Sequence, residues 1–214
     1  MPYILGVSGF KNSGKTILCR KLVPLLEEGG IDVAYVKRTH ENVVSPECSD
    51  SGSLSTVSAP VALWGADGFR IEERTESLDP YALAARFFQG KHLLLLEGGK
   101  NLNIPKVWVG SPTEVPEEVT GIVAFYDRDN PCERERHYAS GQEEELASFI
   151  VSLVSRAEAS PAEVYAGGRR IPVKFFVGDF IAGGLSGMLR ALKGEFDPEA
   201  GVSVHLRKTP GSGR

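Results

Sequence analysis

The chain has few of the features that mark several common protein classes. Its 214 residues include three cysteines, Cys19, Cys48 and Cys132, which are far apart and form no CxxC pair. That spacing argues against a zinc knuckle and a disulfide framework, and it suits a reducing compartment. No apolar run approaches the roughly 20 residues of a membrane-spanning helix. The amino terminus enters strand-like sequence at once and leaves no room for a signal peptide, so a cytoplasmic protein without a membrane partner is expected. An excess of positive charge is also missing. With 24 Lys and Arg against 28 Asp and Glu, the net charge of −4 gives no support for a nucleic-acid partner. A chain of this length, 42% hydrophobic, can build one substantial α/β domain with an appendage.

The most informative segment is Gly9-Phe10-Lys11-Asn12-Ser13-Gly14-Lys15-Thr16, which matches GxxxxGK(S/T) at every constrained position. It follows the apolar run Tyr3-Ile4-Leu5-Gly6-Val7 and precedes the apolar-periodic stretch from Ile17 to Leu26. Strand, glycine-rich turn and helix form the context a phosphate-binding loop requires. The glycines allow close backbone approach, and exposed N–H groups near the helix start favour an anion. Gly9, Lys11, Asn12, Ser13 and Gly14 are therefore expected to cradle phosphate, Lys15 to reach the β- and γ-phosphates, and Thr16 to offer its hydroxyl to Mg²⁺. A glycine-rich turn with a chance lysine would not explain why Lys15 and Thr16 stand together at the helix entrance.

Repeated strand and helix signals surround this loop. Residues 3–8 read as a first strand and 15–28 as a helix ended by Gly29-Gly30, with Pro24 expected to kink it without ending it. Asp32–Lys37 reads as a second strand, and 41–59 as a long, mostly polar loop of the kind that often carries function. Val61–Trp64 and Gly68–Ile71 are short strand candidates. Asp79-Pro80 opens a helix that stops at Gly90. His92–Glu97 lacks alternation, as a strand covered on both faces should. Val107–Val109 and Thr120–Phe125 are further strands, and Ser140 with Glu143 predicts a capping box before a helix ending near Ala159-Ser160-Pro161.

The fold class expected is a P-loop NTPase, α/β, with a doubly wound and mainly parallel sheet. The expected domains are a nucleotide-binding domain over 1–160, a hairpin-helix-strand extension over 161–209 and a loose tail at 210–214. In the extension, Glu163–Ala166 and Ile171–Phe175 flank a Gly167-Gly168 turn, with Pro172 marking an edge strand. A helix with an apolar stripe from Phe180 to Leu192 and a last strand over Val202–Leu206 follow.

A hydrated metal beside Thr16 calls for a carboxylate. Glu97 is the leading candidate, because ligands collect at the carboxyl ends of parallel strands and an unpartnered buried carboxylate would be costly; the competing reading is a solvent-facing strand end. Gly98-Gly99 would allow substrate approach, and Lys100 either meets an anionic group or is an exposed loop lysine. Asp50 reads as a water-mediated Mg²⁺ partner or water-positioning residue, with a simple helix cap as the competing reading. His40 reads as a phosphate or water contact or as a loop organiser. His92 suits a strand start, whereas His137 and His205 have no chemical constellation around them. There is no NKxD sequence; Asp127 in Asp127-Arg128-Asp129-Asn130-Pro131 is a loose candidate for reading a base edge.

The loop, Val36-Lys37-Arg38-Thr39-His40, Asp50-Ser51-Gly52-Ser53, Leu96-Glu97-Gly98-Gly99-Lys100 and Ile104-Pro105-Lys106 together resemble the molybdopterin-guanine dinucleotide biosynthesis protein B family over roughly residues 3–130. Residues 163–193 also resemble an extension found in some relatives. The resemblance implies a homodimeric GTP-binding accessory protein of molybdenum- or tungsten-cofactor biosynthesis that binds Mg²⁺ and hydrolyses GTP slowly. Its implied partners are a molybdopterin-guanine dinucleotide nucleotidyltransferase, the molybdopterin cofactor and apo-molybdoenzymes. By the same resemblance Lys15 and Thr16 take the phosphate and metal roles, Glu97 the acidic strand-end role and Asp50 an active-site loop role, while Thr39-His40 matches a Thr-His pair. Where relatives commonly carry further histidines around that pair, this chain has Arg38 and Glu41. A small-molecule kinase and a nucleotide-gated interaction module without useful turnover are the competing functions.

Overall fold

The computed structural model describes residues 1–55, 60–75, 79–130, 134–157, 161–162, 164–166, 169–171, 173–192, 202 and 204. Pro131, Cys132, the Gly167-Gly168 turn, Pro172, His205 and the 210–214 tail lie outside the described residues. The chain divides into two compact units, Met1–Ser155 and Arg156–Arg214.

The first unit is built on β1 (Tyr3–Gly9), α1 (Lys15–Glu28), β2 (Val33–Lys37), α2 (Asp50–Ser55), β3 (Val61–Trp64), β4 (Phe69–Glu72), α3 (Pro80–Phe87), β5 (Leu93–Glu97), β6 (Lys106–Val109), β7 (Ile122–Tyr126), β8 (His137–Tyr138) and α4 (Glu143–Ala157). Six strands form one sheet in the order β2-β5-β1-β6-β7-β8, with every neighbouring pair parallel. All of β5 is buried. Its leucines therefore need no alternation, and each contributes about 1.5–3 kcal/mol relative to exposure.

The sheet is covered on both sides. One cluster packs Leu18, Leu22 and Leu26 of α1 with Leu146, Ile150 and Val154 of α4 over Leu5, Val7, Leu93 and Leu95. The opposite cluster places Ala84 of α3 against Ile4, Ala34, Leu94 and Ile104. Alternate residues of β1 and β5 thus serve opposite layers, as strand geometry requires. Helix α1 continues through Pro24 on its exposed side and ends where Gly30, at φ 78°, lets the Ile31 N–H bond the Leu26 carbonyl at 2.9 Å.

Several sequence expectations need correction. The 41–59 segment is not wholly irregular: α2 begins at Asp50, and Ser49, not Asp50, caps it, its hydroxyl accepting the Gly52 N–H at 3.1 Å. The Ser140–Glu143 capping box is replaced by another arrangement. Gln142 accepts the Ala139 N–H at 2.9 Å, and Glu143, drawn towards Tyr126 and Lys21, accepts the Gly141 N–H. His137 starts β8, a strand too short to show a period-2 pattern.

In the second unit, β9 (Val164–Ala166) and β10 (Arg169–Ile171) form an antiparallel hairpin, but its second strand ends at Ile171, where the sequence reading began it, and Phe175 already belongs to a helix. Helix α5 (Phe175–Arg190) starts five residues before the expected stripe. Val202 and Val204 are not strand, and the rest of the expected last strand lies outside the described residues. Among the described residues no helix is long and apolar enough to cross a membrane.

Candidate functional site

The Gly9–Thr16 segment forms the connection from β1 into α1, beside the carboxyl ends of β5 and β6. Asn12 at φ 65° and Gly14 at φ 94° both adopt left-handed backbone. Such alternation turns successive N–H groups into a concavity that suits an anion. Gly14 holds the N-cap position without a side-chain hydrogen bond to the helix, so the first N–H groups of α1 have no side-chain cap. Lys15 folds back on this loop: Nζ donates to the Phe10 carbonyl and lies 3.4 Å from Ser13 Oγ. Burial, then the neighbouring Lys37, pull its pKa below the usual lysine value against the opposing pull of Glu97.

Glu97 is 4% exposed at the end of β5. Thr16 Oγ1 donates to its Oε1 at 2.6 Å, and Tyr35 Oη donates to its Oε2. Lys37 Nζ lies 3.5 Å from Oε1 and an equal 3.5 Å from Thr16 Oγ1. Burial pushes the carboxyl pKa up, but the Thr16 and Tyr35 hydrogen bonds and the Lys37 charge outweigh it, and the net shift is downward. Burial also raises the Tyr35 phenol, with its bond to Glu97 adding to the effect. Glu97 therefore stands as an ionised acceptor facing the loop.

Tyr35 was missed by sequence reasoning. The available signal was modest: Tyr35 and Lys37 share a strand face, and Lys37 pairs with Glu97 once β2 lies parallel to β5.

The segment after Glu97 is held to the same centre. Ser8 Oγ donates to the Gly98 carbonyl at 2.8 Å. Gly98 has φ 97°, and a Cβ there would come within 3.1 Å of the Arg38 carbonyl. Lys100 Nζ sits 5.6 Å from the centre of the Phe10 ring, so this lysine faces the β1–α1 loop. Beneath them Lys106 is fully buried and donates to the carbonyls of Lys100, Leu102 and Thr120 at 3.1, 2.6 and 2.7 Å. Three carbonyls match the three donors of an ammonium, and burial lowers its pKa. Sequence reasoning began this strand at Val107 and gave Lys106 no role.

On the far side of α1, Glu143 accepts from Lys21 at 2.6 Å and from Tyr126 at 2.7 Å. Burial raises the carboxyl, but Lys21, Tyr126 and two backbone N–H groups bring it down to about 2. This network links α1 to the end of β7, where Asp127 follows. Asp127 is 8% exposed and lines a cavity of about 260 Å³ with Asn12, Ser13, Gly110, Ser111 and Glu114.

His40 and Asp50 are not brought into these contacts. Both are exposed, and neither side chain makes a hydrogen bond or ion pair with Lys15, Thr16 or Glu97. Their segment is fastened elsewhere: Glu72 of β4 accepts the Ser45 N–H at 3.0 Å and its hydroxyl at 2.8 Å, and Arg70 pairs with the same carboxylate at 2.6 Å.

Fold and site define an open, parallel α/β-sheet protein whose β1–α1 loop faces an acid at the end of the adjoining strand. A family profile for molybdopterin guanine dinucleotide synthesis protein B matches residues 4–125, more than half of the chain. The protein belongs to this MobB family.

Over 109 residues it is 34% identical to the molybdopterin-guanine dinucleotide biosynthesis adapter protein of Haemophilus influenzae, covering 49% of this chain and 61% of that one. Over 112 residues it is 31% identical to the protein of the same description in Escherichia coli, covering 49% and 63%. The match thus spans about three-fifths of the length of these relatives. Among solved structures, a molybdopterin-guanine biosynthesis protein B superposes with a TM-score of 0.55 at 26% identity, covering 71% of this chain and 99% of the other. Bacillus subtilis MobB, at 22% identity and a TM-score of 0.52 over 71% of this chain and 97% of its own, supports the fold alone.

Proposed function

We propose that the chain is a P-loop protein that binds Mg²⁺-GTP and acts as an accessory in making or delivering the molybdopterin guanine dinucleotide form of the molybdenum or tungsten cofactor. Family membership supports the pathway. The observation that carries the nucleotide reading is the 2.6 Å approach of Thr16 to Glu97 directly behind an uncapped helix N-terminus and a GxxxxGKT loop.

The residues present suit both groups. Orphan N–H groups, Asn12 and Ser13 would take the phosphates, and Lys15 would exchange the Phe10 carbonyl for the β- and γ-phosphates. Thr16 and Glu97 offer hard oxygen donors for Mg²⁺, with Asp50 as a further, water-mediated candidate. Among the described residues no group of three or more His, Cys, Asp and Glu side chains is placed to hold a metal. That suits an ion held through one or two protein oxygens together with phosphates and water. When bound, Mg²⁺ neutralises charge on the phosphate oxygens.

Turnover is slow in this reading, because His40 and Asp50, the residues suited to positioning water, stand on an exposed segment without bonds to Glu97. The working form is a homodimer acting beside a nucleotidyltransferase, with apo-molybdoenzymes or the molybdopterin cofactor as further partners. Helix α5 supports assembly by leaving Phe175, Phe176, Phe180 and Met188 exposed.

Titration of purified protein with GTP and ATP, with and without Mg²⁺, tests the nucleotide assignment. Lys15→Ala should weaken GTP about ten- to hundredfold, the worth of one charge-assisted phosphate contact. Productive use of ATP with negligible GTP binding would reject the assignment, and a phosphorylated metabolite in place of free phosphate would favour a kinase. Sedimentation of the full chain tests the dimer, which a monomer throughout micromolar concentrations would refute.

A further inference from the structure

The cavity beside the loop has a composition that the phosphate chemistry does not explain. It lies at the carboxyl ends of β6 and β7, where open parallel sheets bind ligands. Asn12 and Ser13 of the loop form one wall, so a ligand anchored on the loop by its phosphates can extend into the cavity.

Three carboxylates line it. Asp129 is neutralised by Arg128 through two bonds of 3.0 Å. Asp127 is occupied in holding its own turn, accepting the Asp129 N–H at 3.4 Å and Asn130 Nδ2 at 3.2 Å. Glu114, at the end of the short 3-10 turn Pro112–Glu114, is exposed and makes no side-chain hydrogen bond or ion pair with a described residue.

Behind one wall of the cavity lies a buried donor. Trp108 is fully buried, and among the described residues its Nε1 is the one buried side-chain nitrogen or oxygen without a hydrogen-bond partner. It faces the side-chain position that Gly110 leaves empty: a Cβ there would lie 3.6 Å from Nε1. Gly110 itself lines the cavity, and Trp108 lies directly behind it without lining the cavity itself.

We propose that this cavity receives the base of the nucleoside triphosphate, and that Glu114 is the specificity-determining residue that selects guanine. This rests on the nucleotide reading above. Guanine presents two adjacent donors, N1–H and the 2-amino group, to which a carboxylate accepts in parallel. Adenine presents a lone pair at N1, which a carboxylate repels. Asp127 braces the turn and serves any base alike.

The test measures binding of GTP, xanthosine triphosphate and ATP by the wild-type full-length protein and by Glu114→Gln and Asp127→Asn. A glutamine amide offers one acceptor and one donor, which matches xanthine N1–H and its 2-oxo group. Glu114→Gln should weaken GTP and strengthen xanthosine triphosphate, each by about tenfold, a change within the range of a bidentate base contact. Asp127→Asn should weaken all three nucleotides to the same extent. Triphosphate binding with an unchanged GTP-to-xanthosine-triphosphate ratio in Glu114→Gln, or a ratio inverted by Asp127→Asn, overturns the role of Glu114 and leaves the phosphate site standing. Absence of triphosphate binding by the wild-type protein overturns the nucleotide reading, and this inference with it.

Discussion

Two regions that the sequence singles out for chemistry are built in opposite ways. Thr16 and Glu97 meet at the ends of buried parallel strands, where Tyr35 and Lys37 complete the contact and Lys106 fastens the next turn. His40 and Asp50 stand exposed on the segment after β2, which is anchored through Ser45 to the β3–β4 hairpin. The first region inherits its geometry from the core, because a strand end cannot move without disturbing the layers on both faces of the sheet. The second is tied mainly by polar contacts to one small hairpin, and local opening there costs less. The difference suits the proposed role, in which the strand ends hold the nucleotide and the surface segment adjusts.

The sharpest way to break this comparison is Glu97→Gln. The variant should remain folded and retain nucleotide binding while GTP hydrolysis falls about a hundredfold, the scale of losing one preorganised charge contact. Single-turnover phosphate release measures it, and wild-type hydrolysis would remove Glu97 from the site.

Lys106→Met comes next. It removes a buried donor shared by three carbonyls and should destabilise the protein by about 1–3 kcal/mol. Chemical denaturation reads the loss, and unchanged stability would mean that the turn after Glu97 does not depend on this lysine.

Acid should separate the two regions more gently. The Ser45 backbone N–H and hydroxyl, together with Arg70, hold the Glu72 carboxyl below its ordinary value. A lowered folded pKa means that its stabilisation is present above the unfolded value of about 4.3 and is lost as pH falls through the folded value. Hydrogen exchange around Ser45 should therefore rise below about pH 4.3, and Glu72→Gln should show the same rise at neutral pH. A Ser45 amide that stays protected in both cases would show that other contacts hold the segment.

The smallest effect is expected for Asp50→Asn, which should slow hydrolysis by less than Glu97→Gln does. Equal losses would show that the exposed segment closes onto the strand ends during turnover.

How much of this was legible in the chain follows from the range of the forces involved. The GxxxxGKT segment, the Asp79-Pro80 helix start and the unbroken Leu93–Leu96 run act over a few residues, and the structure places the elements they mark where the sequence predicts. Glu97 was also legible as a strand-end carboxylate facing that loop. Its second oxygen's partner was not, because Tyr35 reaches Glu97 only after β2 is laid beside β5. Glu143 was read as half of a capping box by its spacing from Ser140. Lys21 and Tyr126, distant in sequence, draw it into a different network. Backbone propensity, apolar periodicity and turn chemistry are local, so the chain by itself determined the order of elements and the loop into α1. Partnership among buried polar groups is decided by whichever donors and acceptors the packed layers bring within about 3 Å. Only the tertiary structure could therefore give Lys106 its three carbonyls, leave Trp108 Nε1 facing the Gly110 wall, and separate Asp127 from Glu114 across one cavity.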